Sequence, residues 1–247
     1  MTAIRAPLAA VPAVVLDTDG VIVDSARLHA AAWKEVFDAF LEAHPPGDPM
    51  HRRPFDEQDD YLRHVDGKSR YDGAEAFLVS RGLRLSPATV RAVAEDKDRA
   101  FVARLRGGGA DPYPGTVRLL HALRSAGVAL AAVSASRHAR ELLARAGVED
   151  LFDAVVDGVE AARLDLPGKP DPALFLEAAD RLGHPPSETA VVEDALAGVE
   201  AGRRGGFSPV VGVHRSEDRQ AAERLRAQGA DAVVQDLGEL LVEEAAA

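Results

Sequence analysis

An apolar run that ends in two closely spaced carboxylates constrains this chain more than any other segment. Residues 14–16 predict a buried strand, and Asp17-Thr18-Asp19-Gly20 follows at once. Side chains at positions i and i+2 of an extended segment point the same way. Two carboxylates held close together both stay ionised only when a cation lies beside them. The segment therefore predicts a reactive site at a strand end, with one carboxylate as nucleophile and the other as proton carrier.

The composition is that of an ordinary globular protein with an acidic surface. A chain of 247 residues, 47% hydrophobic and 28% charged, can form one large domain or a core with a smaller appendage. The net charge of −11 argues against nucleic acid or an anionic membrane as the main partner. Cysteine is absent and no two of the eight histidines have zinc-site spacing, so thiolate sites are excluded and zinc is disfavoured.

The sequence also predicts where the protein works. No apolar run approaches the roughly 18–20 residues of a membrane span. Pro7 and Pro12 interrupt the apolar stretch near the N-terminus, which continues into the strand that carries Asp17. We therefore expect no cleaved secretory leader, a cytoplasmic location and, without an obvious apolar interface, a monomer.

Strands and helices alternate from about residue 109 onward. Predicted strands cover residues 129–133, 154–156, 189–192, 209–213 and 232–234, and predicted helices cover residues 137–146, 171–182, 195–202 and 217–228. With the first strand, this alternation predicts an α/β fold, a doubly wound parallel sheet with helices on both faces.

Residues 25–105 interrupt this alternation and predict a helical insertion. Residues 33–41 carry apolar side chains on one helical face, residues 76–78 start a second helix, and residues 90–105 predict a third. We expect hinges near residues 24–25 and near residues 106–109, which contain three consecutive glycines. The predicted domains are residues 1–24 with 106–247, and residues 25–105.

Polar residues follow the predicted strands of the sheet. Ligands bind beyond the carboxyl ends of such strands. The candidates there are Asp17, Asp19, Ser134, Ser136, Lys169, Glu193 and Asp194. The carboxylates suit a hard cation such as Mg²⁺, and the lysine and hydroxyls suit a phosphoryl oxygen.

These residues and their order resemble the four motifs of the haloacid dehalogenase superfamily of phosphotransferases. The motifs are residues 17–21, Ser134, Lys169 and the pair at 193–194. Residues 19–25 with His29 and Trp33, and the segments 134–137, 168–172 and 193–198, are similar to the subgroup that contains β-phosphoglucomutase. In that subgroup the helical insertion is a cap over the site.

The resemblance implies a role for each motif. Asp17 would form an aspartyl-phosphate, and Asp19 would protonate the leaving oxygen and deprotonate the next acceptor. The transferring phosphoryl group would be bound by Ser134, Ala135 and Lys169. Mg²⁺ would be held by Asp17, Asp19 through its backbone carbonyl, and Asp194, with Glu193 nearby.

For the cap, the resemblance implies contacts with the substrate and with Asp19. Gly67, Lys68 and Arg70 resemble a substrate-phosphate loop, and Ser136 belongs to the substrate side of the core. Ser25, His29 and Lys97 match positions that engage the acid/base aspartate in mutases. A histidine beside Trp33 is equally compatible with a packing role for His29.

These motifs have other interpretations, as helix caps, as a calcium loop or as a P-loop. Asp17, Ser134 and Ser136 could simply cap helices. A calcium loop is excluded because Val21 and Ile22 occupy the positions of a ligand and the required glycine. A P-loop is excluded because Leu62 stands where its first glycine is needed. The second carboxylate, Asp19, favours phosphoryl transfer over carbon–halogen cleavage.

The resemblance favours conversion of β-glucose 1-phosphate to glucose 6-phosphate, the reaction of a β-phosphoglucomutase. A sugar-phosphate phosphatase of the same subgroup is the alternative, because Asp66 precedes Gly67 where mutases carry lysine and His138 replaces an amide. A non-catalytic sugar-phosphate sensor is a more distant alternative, since the predicted nucleophile, acid and lysine are all present.

Overall fold

The computed structural model describes residues 3–108, 110–215 and 219–242. The chain divides into two compact units, one of residues 1–24 and 111–247 and the other of residues 25–110. The second unit ends at residue 110, whereas the predicted boundary is residue 105, and its last helix ends at Arg106. Gly109, part of the predicted hinge, lies outside the described residues. The role of the second unit as a cap stays a prediction.

The regular elements of the described residues are as follows. The strands are β1 (Ala3–Ile4), β2 (Ala13–Asp17), β3 (Ala129–Val133), β4 (Ala154–Val156), β5 (Thr189–Glu193), β6 (Val210–Val213), β7 (Ala232–Val234) and β8 (Leu241–Val242). The α-helices are α1 (Ala26–Ala43), α2 (Arg70–Ser80), α3 (Pro87–Arg106), α4 (Pro114–Ser125), α5 (Ala139–Arg145), α6 (Gly158–Leu164), α7 (Ala173–Leu182), α8 (Leu196–Arg204) and α9 (Arg219–Gln228). Short 3₁₀ turns at Leu8–Ala10, Pro49–Arg52, Glu149–Leu151, Pro186–Glu188 and Leu237–Leu240, and one π turn at Tyr61–Val65, join them.

The first unit contains a six-stranded parallel sheet in the order β4-β3-β2-β5-β6-β7. Its chain connections pass through helices, so the predicted α/β fold class is confirmed. The antiparallel pair of β1 and β8 was not predicted, because two-residue strands carry no periodic signal. The last helix begins at Arg219, and Glu217, where the prediction starts it, lies outside the described residues.

Buried aliphatic and aromatic side chains fix α7, α8 and α9 to the sheet. One continuous cluster joins Val15 of β2 and Val191 of β5 to Phe175 of α7 and Val199 of α8. The helix α4 packs near β3 and buries its own set of leucines, Leu119, Leu120 and Leu123. Burying each of these large side chains contributes about 1.5–3 kcal/mol, so the sheet and its helices form a rigid platform.

Helix α4 was not predicted. Local capping explains two other helices that differ from the predictions. Helix α6 was missed; it begins because Asp157 Oδ1 accepts hydrogen bonds from Val159 N at 2.9 Å and Glu160 N at 3.0 Å. Helix α2 starts at Arg70, six residues before the predicted residue 76, because Ser69 Oγ accepts from Asp72 N at 3.2 Å. Among the helices in the described ranges, none combines the length and apolar character that a membrane crossing requires.

An aromatic cluster and a buried ion pair hold the second unit together. The ring of Phe37 lies 4.6 Å from Trp33, 4.0 Å from Phe77 and 5.2 Å from Phe55, centroid to centroid. The pairs join α1 to α2 and to the loop between them. Aromatic pairs at these separations add about 0.5–1.5 kcal/mol each to the burial of their surface.

Asp60 is a fully buried carboxylate in the same unit. Its oxygens accept from Arg53 Nη2 at 2.7 Å, Arg81 Nη2 at 2.6 Å and the backbone N of Asp56 at 3.0 Å. Burial raises the pKa of Asp60, but the hydrogen bonds and the two arginine charges outweigh it, so its pKa is lowered overall. The ionised form of Asp60 therefore stabilises the folded unit.

We predict that Asp60→Asn destabilises the second unit by about 3–5 kcal/mol at pH 7, because it leaves the buried Arg81 guanidinium without its counter-charge. Denaturant unfolding followed by fluorescence of Trp33, the one tryptophan in the chain, measures this change. The pKa of Asp60 is lower in the folded state, so the wild-type advantage is complete above pH about 4 and disappears as the pH falls through the folded value.

The neighbouring Asp59→Asn variant is the matched control, since Asp59 pairs with Arg63 on the surface, with about half of the Asp59 side chain and most of the Arg63 side chain exposed. That change should cost less than about 1 kcal/mol. Equal effects of the two variants would contradict the role assigned to Asp60.

Candidate active site

The parallel sheet brings the ends of β2, β3 and β5 to one edge. In the register, Asp17 at the end of β2 pairs with Val133, and Ser134 follows immediately. Leu16 pairs with Val192, so Glu193 at the end of β5 lies level with Asp17. Residues that are more than a hundred positions apart in sequence thus meet at a single edge.

Lys169 enters this edge from the loop before α7 and lies between two carboxylates. Its Nζ donates hydrogen bonds to Asp17 Oδ1 and, at 2.5 Å, to Glu193 Oε1. All three side chains are buried, and Nζ also lies 4.8 Å from the centre of the Phe175 ring. The predicted nucleophile and the predicted phosphate-binding lysine are therefore in direct contact.

Burial and charge act in opposite directions on this pair. Burial, with the neighbouring carboxylates of Glu193 and Asp19, raises the pKa of Asp17, and the Lys169 ammonium only partly opposes this. Burial alone would lower the pKa of Lys169, but Asp17 and Glu193 together raise it. The charged form of Lys169 is therefore favoured. Further positive charge beside Asp17 would favour the ionised form of Asp17.

Asp19 is oriented by the segment after β3. Ser134 Oγ donates to Asp19 Oδ2 at 2.8 Å, and the backbone N of Ser136 donates to Ser134 Oγ at 2.9 Å. Ser136 Oγ accepts from His138 N at 3.2 Å, near the start of α5, and Ala135 lies in the same turn. The two predicted hydroxyl groups are therefore linked, with Ser134 towards Asp19 and Ser136 towards the helix.

Gly20 allows Asp194 to approach residues 18–21 after β2, which we call the catalytic loop because they include the predicted acid/base residue Asp19. The φ of +79° at Gly20 is a conformation that other residues rarely adopt. A Cβ at position 20 would lie 1.7 Å from Asp194 Oδ2, so a larger residue would displace this carboxylate. Asp194 is consequently held against the turn that carries Asp19.

Glu193 is fully engaged by the protein. While Oε1 accepts from Lys169, Oε2 accepts from the backbone N of Ala195 at 2.7 Å. A Cβ at Gly198 would lie 1.7 Å from Glu193 Oε1, so a glycine in α8 makes room for this carboxylate. In this arrangement Glu193 holds Lys169 in place.

The oxygen atoms of this edge fit a hard divalent cation by their chemistry. Asp17, Asp19 and Asp194 offer carboxylate and carbonyl oxygens, the ligands that Mg²⁺ prefers. In the described ranges, no three acidic or histidine side chains already form a ready cation cluster.

In the second unit, His29 and Lys97 form a buried contact. Lys97 Nζ lies 2.7 Å from His29 Nδ1, and the His29 ring stacks on Phe101 with 4.1 Å between centroids. Lys97 Nζ is also 5.2 Å from the Trp33 ring centre. These contacts place His29 in the packing between α1 and α3, and Ser25 immediately precedes α1. A role of these residues towards Asp19 stays a prediction.

The predicted phosphate loop forms the turn before α2. Gly67 has a φ of +68°, and the backbone N of Lys68 donates to Val65 O at 3.2 Å. Arg70 Nη1 forms an ion pair with Asp98 Oδ1 of α3 at 3.1 Å. The turn is therefore built as a compact loop next to a helix start, and its substrate role stays a prediction.

Sequence reasoning did not single out Thr18, whose side chain is fully buried. Its backbone N and its Oγ1 both donate to Val133 O, at 2.9 and 3.1 Å, and tie the catalytic loop to β3. The position of Thr18 between two candidate carboxylates could have indicated this role, because a polar side chain that is buried there needs a hydrogen-bond partner.

Comparison with known proteins supports the interpretation of these motifs. A family model described as haloacid dehalogenase-like hydrolase matches residues 11–206. The chain is 42% identical over 240 residues to a β-phosphoglucomutase of Mycobacterium bovis, which covers 94% of this chain and 92% of the relative. It is 30% identical to a phosphorylated carbohydrates phosphatase of Thermotoga maritima, over 85% of this chain and 88% of the relative.

The fold is similar to that of solved structures as well. A β-phosphoglucomutase structure from Clostridium difficile matches with a TM-score of 0.72 and 24% identity, and the match covers 93% of each chain. At this identity the likeness concerns the fold alone. The family match and the two relatives carry the assignment, and they confirm the resemblance seen in the motifs. The chain belongs to the haloacid dehalogenase-like hydrolase family, among whose members are the phosphotransferases and phosphatases to which it is similar.

Proposed function

We propose that this enzyme transfers a phosphoryl group of a hexose phosphate through an aspartyl-phosphate on Asp17, and that it converts β-glucose 1-phosphate to glucose 6-phosphate. The observation that supports the chemistry best is the convergence at one sheet edge, with Lys169 on Asp17 and Ser134 on Asp19. The similarity to the M. bovis β-phosphoglucomutase over 94% of the chain supports the substrate.

In the first half-reaction, a carboxylate oxygen of Asp17 attacks phosphorus and forms a new P–O bond. The bond between phosphorus and the sugar oxygen breaks, and Asp19 donates a proton to that leaving oxygen. Ser134 and Lys169 donate hydrogen bonds to the oxygens of the phosphoryl group as it moves. Lys169 is suited to this because its Nζ contacts Asp17 and its pKa is raised.

In the second half-reaction, a hydroxyl group attacks the phosphorus held by Asp17. The acceptor loses its proton to Asp19, and the bond from phosphorus to Asp17 breaks, which regenerates the enzyme. A mutase uses the 6-hydroxyl of β-glucose 1-phosphate and forms glucose 1,6-bisphosphate, whose 1-phosphoryl group then passes to Asp17. A phosphatase uses water instead.

We propose Mg²⁺ as the cofactor, held by the Asp17 carboxylate, the Asp19 backbone carbonyl and Asp194. When bound, it supplies positive charge to the phosphoryl oxygens and to the acidic edge of the sheet. This charge would also offset the effect of burial, which raises the pKa of Asp17. The cytoplasmic location and the monomeric state remain predictions.

One observation favours a phosphatase as the second candidate function. Asp66 stands beside Gly67, where a second phosphate of a bisphosphate is expected, and a carboxylate there repels this anion. The similarity to the T. maritima phosphatase also supports this alternative. The two functions share the aspartyl-phosphate and differ only in the acceptor.

A coupled assay distinguishes the two functions. With Mg²⁺ and a trace of glucose 1,6-bisphosphate, we expect glucose 6-phosphate to form from β-glucose 1-phosphate far faster than inorganic phosphate is released. Both products are followed in the same sample. Fast release of phosphate with little glucose 6-phosphate would instead establish the phosphatase and would implicate Asp66.

Asp17→Asn should abolish turnover, because an amide oxygen is a poor nucleophile at phosphorus. We expect kcat to fall by about 10⁴-fold or more, as for other enzymes that lose their nucleophile. Steady-state kinetics measures this, with Asp180→Asn on the exposed side of α7 as the matched control. Activity of Asp17→Asn within tenfold of wild type would refute the role of Asp17.

Removal of divalent cations with EDTA should abolish activity, and Mg²⁺ should restore it. In Asp194→Asn the Mg²⁺ concentration for half-maximal activity should rise by about tenfold or more, because the cation loses a charged ligand. Titration of both proteins with Mg²⁺ at saturating substrate measures this. An unchanged requirement for Mg²⁺ in Asp194→Asn would show that the cation binds elsewhere.

A further inference from the structure

We propose that Arg215, in the segment after β6, is a positioning residue that holds the turn after Asp19 and so sets the orientation of the acid/base carboxylate. This inference rests on the proposed function, because it assumes that Asp19 protonates the leaving oxygen. No motif in the sequence pointed to Arg215, which lies 195 positions from Gly20.

The guanidinium group of Arg215 binds two consecutive backbone carbonyls of the catalytic loop. Its Nε donates to Gly20 O at 3.2 Å, and its Nη2 donates to Val21 O at 3.1 Å. Gly20 and Val21 are buried. A buried carbonyl needs a donor, and Arg215 supplies one to Gly20 O and one of two donors to Val21 O.

Arg215 is itself held firmly by groups that lie outside the loop. Its Nη1 forms an ion pair with Asp236 Oδ2 at 3.0 Å, and its guanidinium lies 3.4 Å from the centre of the Tyr113 ring. Asp236 is fixed in turn, because its Oδ1 accepts from Gly238 N at 2.7 Å. The donors that reach the loop therefore come from an immobilised side chain.

The two carbonyls do not depend on Arg215 to the same extent. Val21 O also accepts from Thr116 Oγ1 at 2.8 Å, so it keeps a second donor when Arg215 is changed. Loss of the Arg215 hydrogen bonds therefore affects mainly the Gly20 carbonyl. Gly20 directly follows Asp19 and packs on Asp194. Reorientation of the Gly20 peptide would displace both neighbours, and a shift of about 1 Å in a reacting group costs roughly 10²-fold in rate.

Only an arginine has the geometry to make these contacts together. Its planar fork presents donors to two carbonyls and a carboxylate while its face stacks on an aromatic ring. A lysine keeps the charge but cannot bind both carbonyls and Asp236 with a fixed geometry. Arg215→Lys therefore separates the positioning effect from the effect of charge.

The test compares the kcat/KM of Arg215→Lys and Arg215→Gln for two substrates that differ in the leaving group. A sugar phosphate needs a proton from Asp19 as its oxygen leaves, whereas p-nitrophenyl phosphate releases a stable phenolate without one. We expect losses of about 10- to 100-fold with the sugar phosphate and of less than about threefold with p-nitrophenyl phosphate. General loosening of the structure would lower both values equally.

Asp19→Asn serves as the benchmark, and Arg181→Gln serves as the matched control. Arg181 also donates to a backbone carbonyl, Val155 O at 3.3 Å, and forms ion pairs with Glu160 and Glu177, but it contacts the outer strand β4. Arg181→Gln should leave kcat/KM for both substrates within about twofold of wild type, as expected for the loss of ion pairs near the surface. Thermal melting of each variant verifies that the protein is folded.

The outcomes separate the two proposals. If Asp19→Asn does not lower kcat/KM for the sugar phosphate more than for p-nitrophenyl phosphate, the proposed role of Asp19 fails. Suppose instead that Asp19→Asn loses activity selectively towards the sugar phosphate. If the two Arg215 variants then lose kcat/KM equally for both substrates, or for neither, only the role of Arg215 is overturned. If Arg215 acts through Asp19, adding Arg215→Gln to Asp19→Asn lowers kcat/KM by less than about threefold, because the two changes are then not additive.

Discussion

The buried contact of Lys169 with Asp17 and Glu193 is the interaction on which the rest of the site depends. Two carboxyl groups and one ammonium group are in contact here, and all three side chains are buried. Removing one partner of such a group would leave an uncompensated buried charge, which costs about 3–5 kcal/mol. The backbone N of Ala195 donates to the second oxygen of Glu193 and so helps to stabilise the group. A further cation beside Asp17 would favour the ionised form of this carboxyl group.

The parallel sheet is what makes this contact attainable. Strands that run in one direction end at one edge, so Asp17 at the end of β2, Ser134 after β3 and Glu193 at the end of β5 converge there. Small residues then permit the close approaches, with Gly20 against Asp194 and Gly198 against Glu193. Rigid strands and small residues together hold the reactive atoms within hydrogen-bond distance of one another.

The sequence predicted the alternation of strands and helices and the polar residues at the strand ends, because each of these is a local pattern. It did not predict that both oxygens of Glu193 bind protein donors, since that depends on the position of Lys169 and on the space left by Gly198. The contacts of Arg215 with the catalytic loop were likewise inaccessible, because they join segments almost 200 residues apart. Helix α6 was missed because its apolar pattern is short and its start depends on the cap at Asp157.

The central claim is that Asp17 becomes covalently phosphorylated, and direct chemical trapping tests it. The enzyme is mixed with its sugar phosphate and Mg²⁺, quenched in acid within one turnover and treated with hydroxylamine, which converts an acyl phosphate to a hydroxamate. Peptide mass spectrometry then locates the modified residue. We predict a hydroxamate on Asp17 in the wild-type protein and none in Asp17→Asn. A modification at another residue, or product formation with Asp17 unmodified at every quench time, would contradict the mechanism.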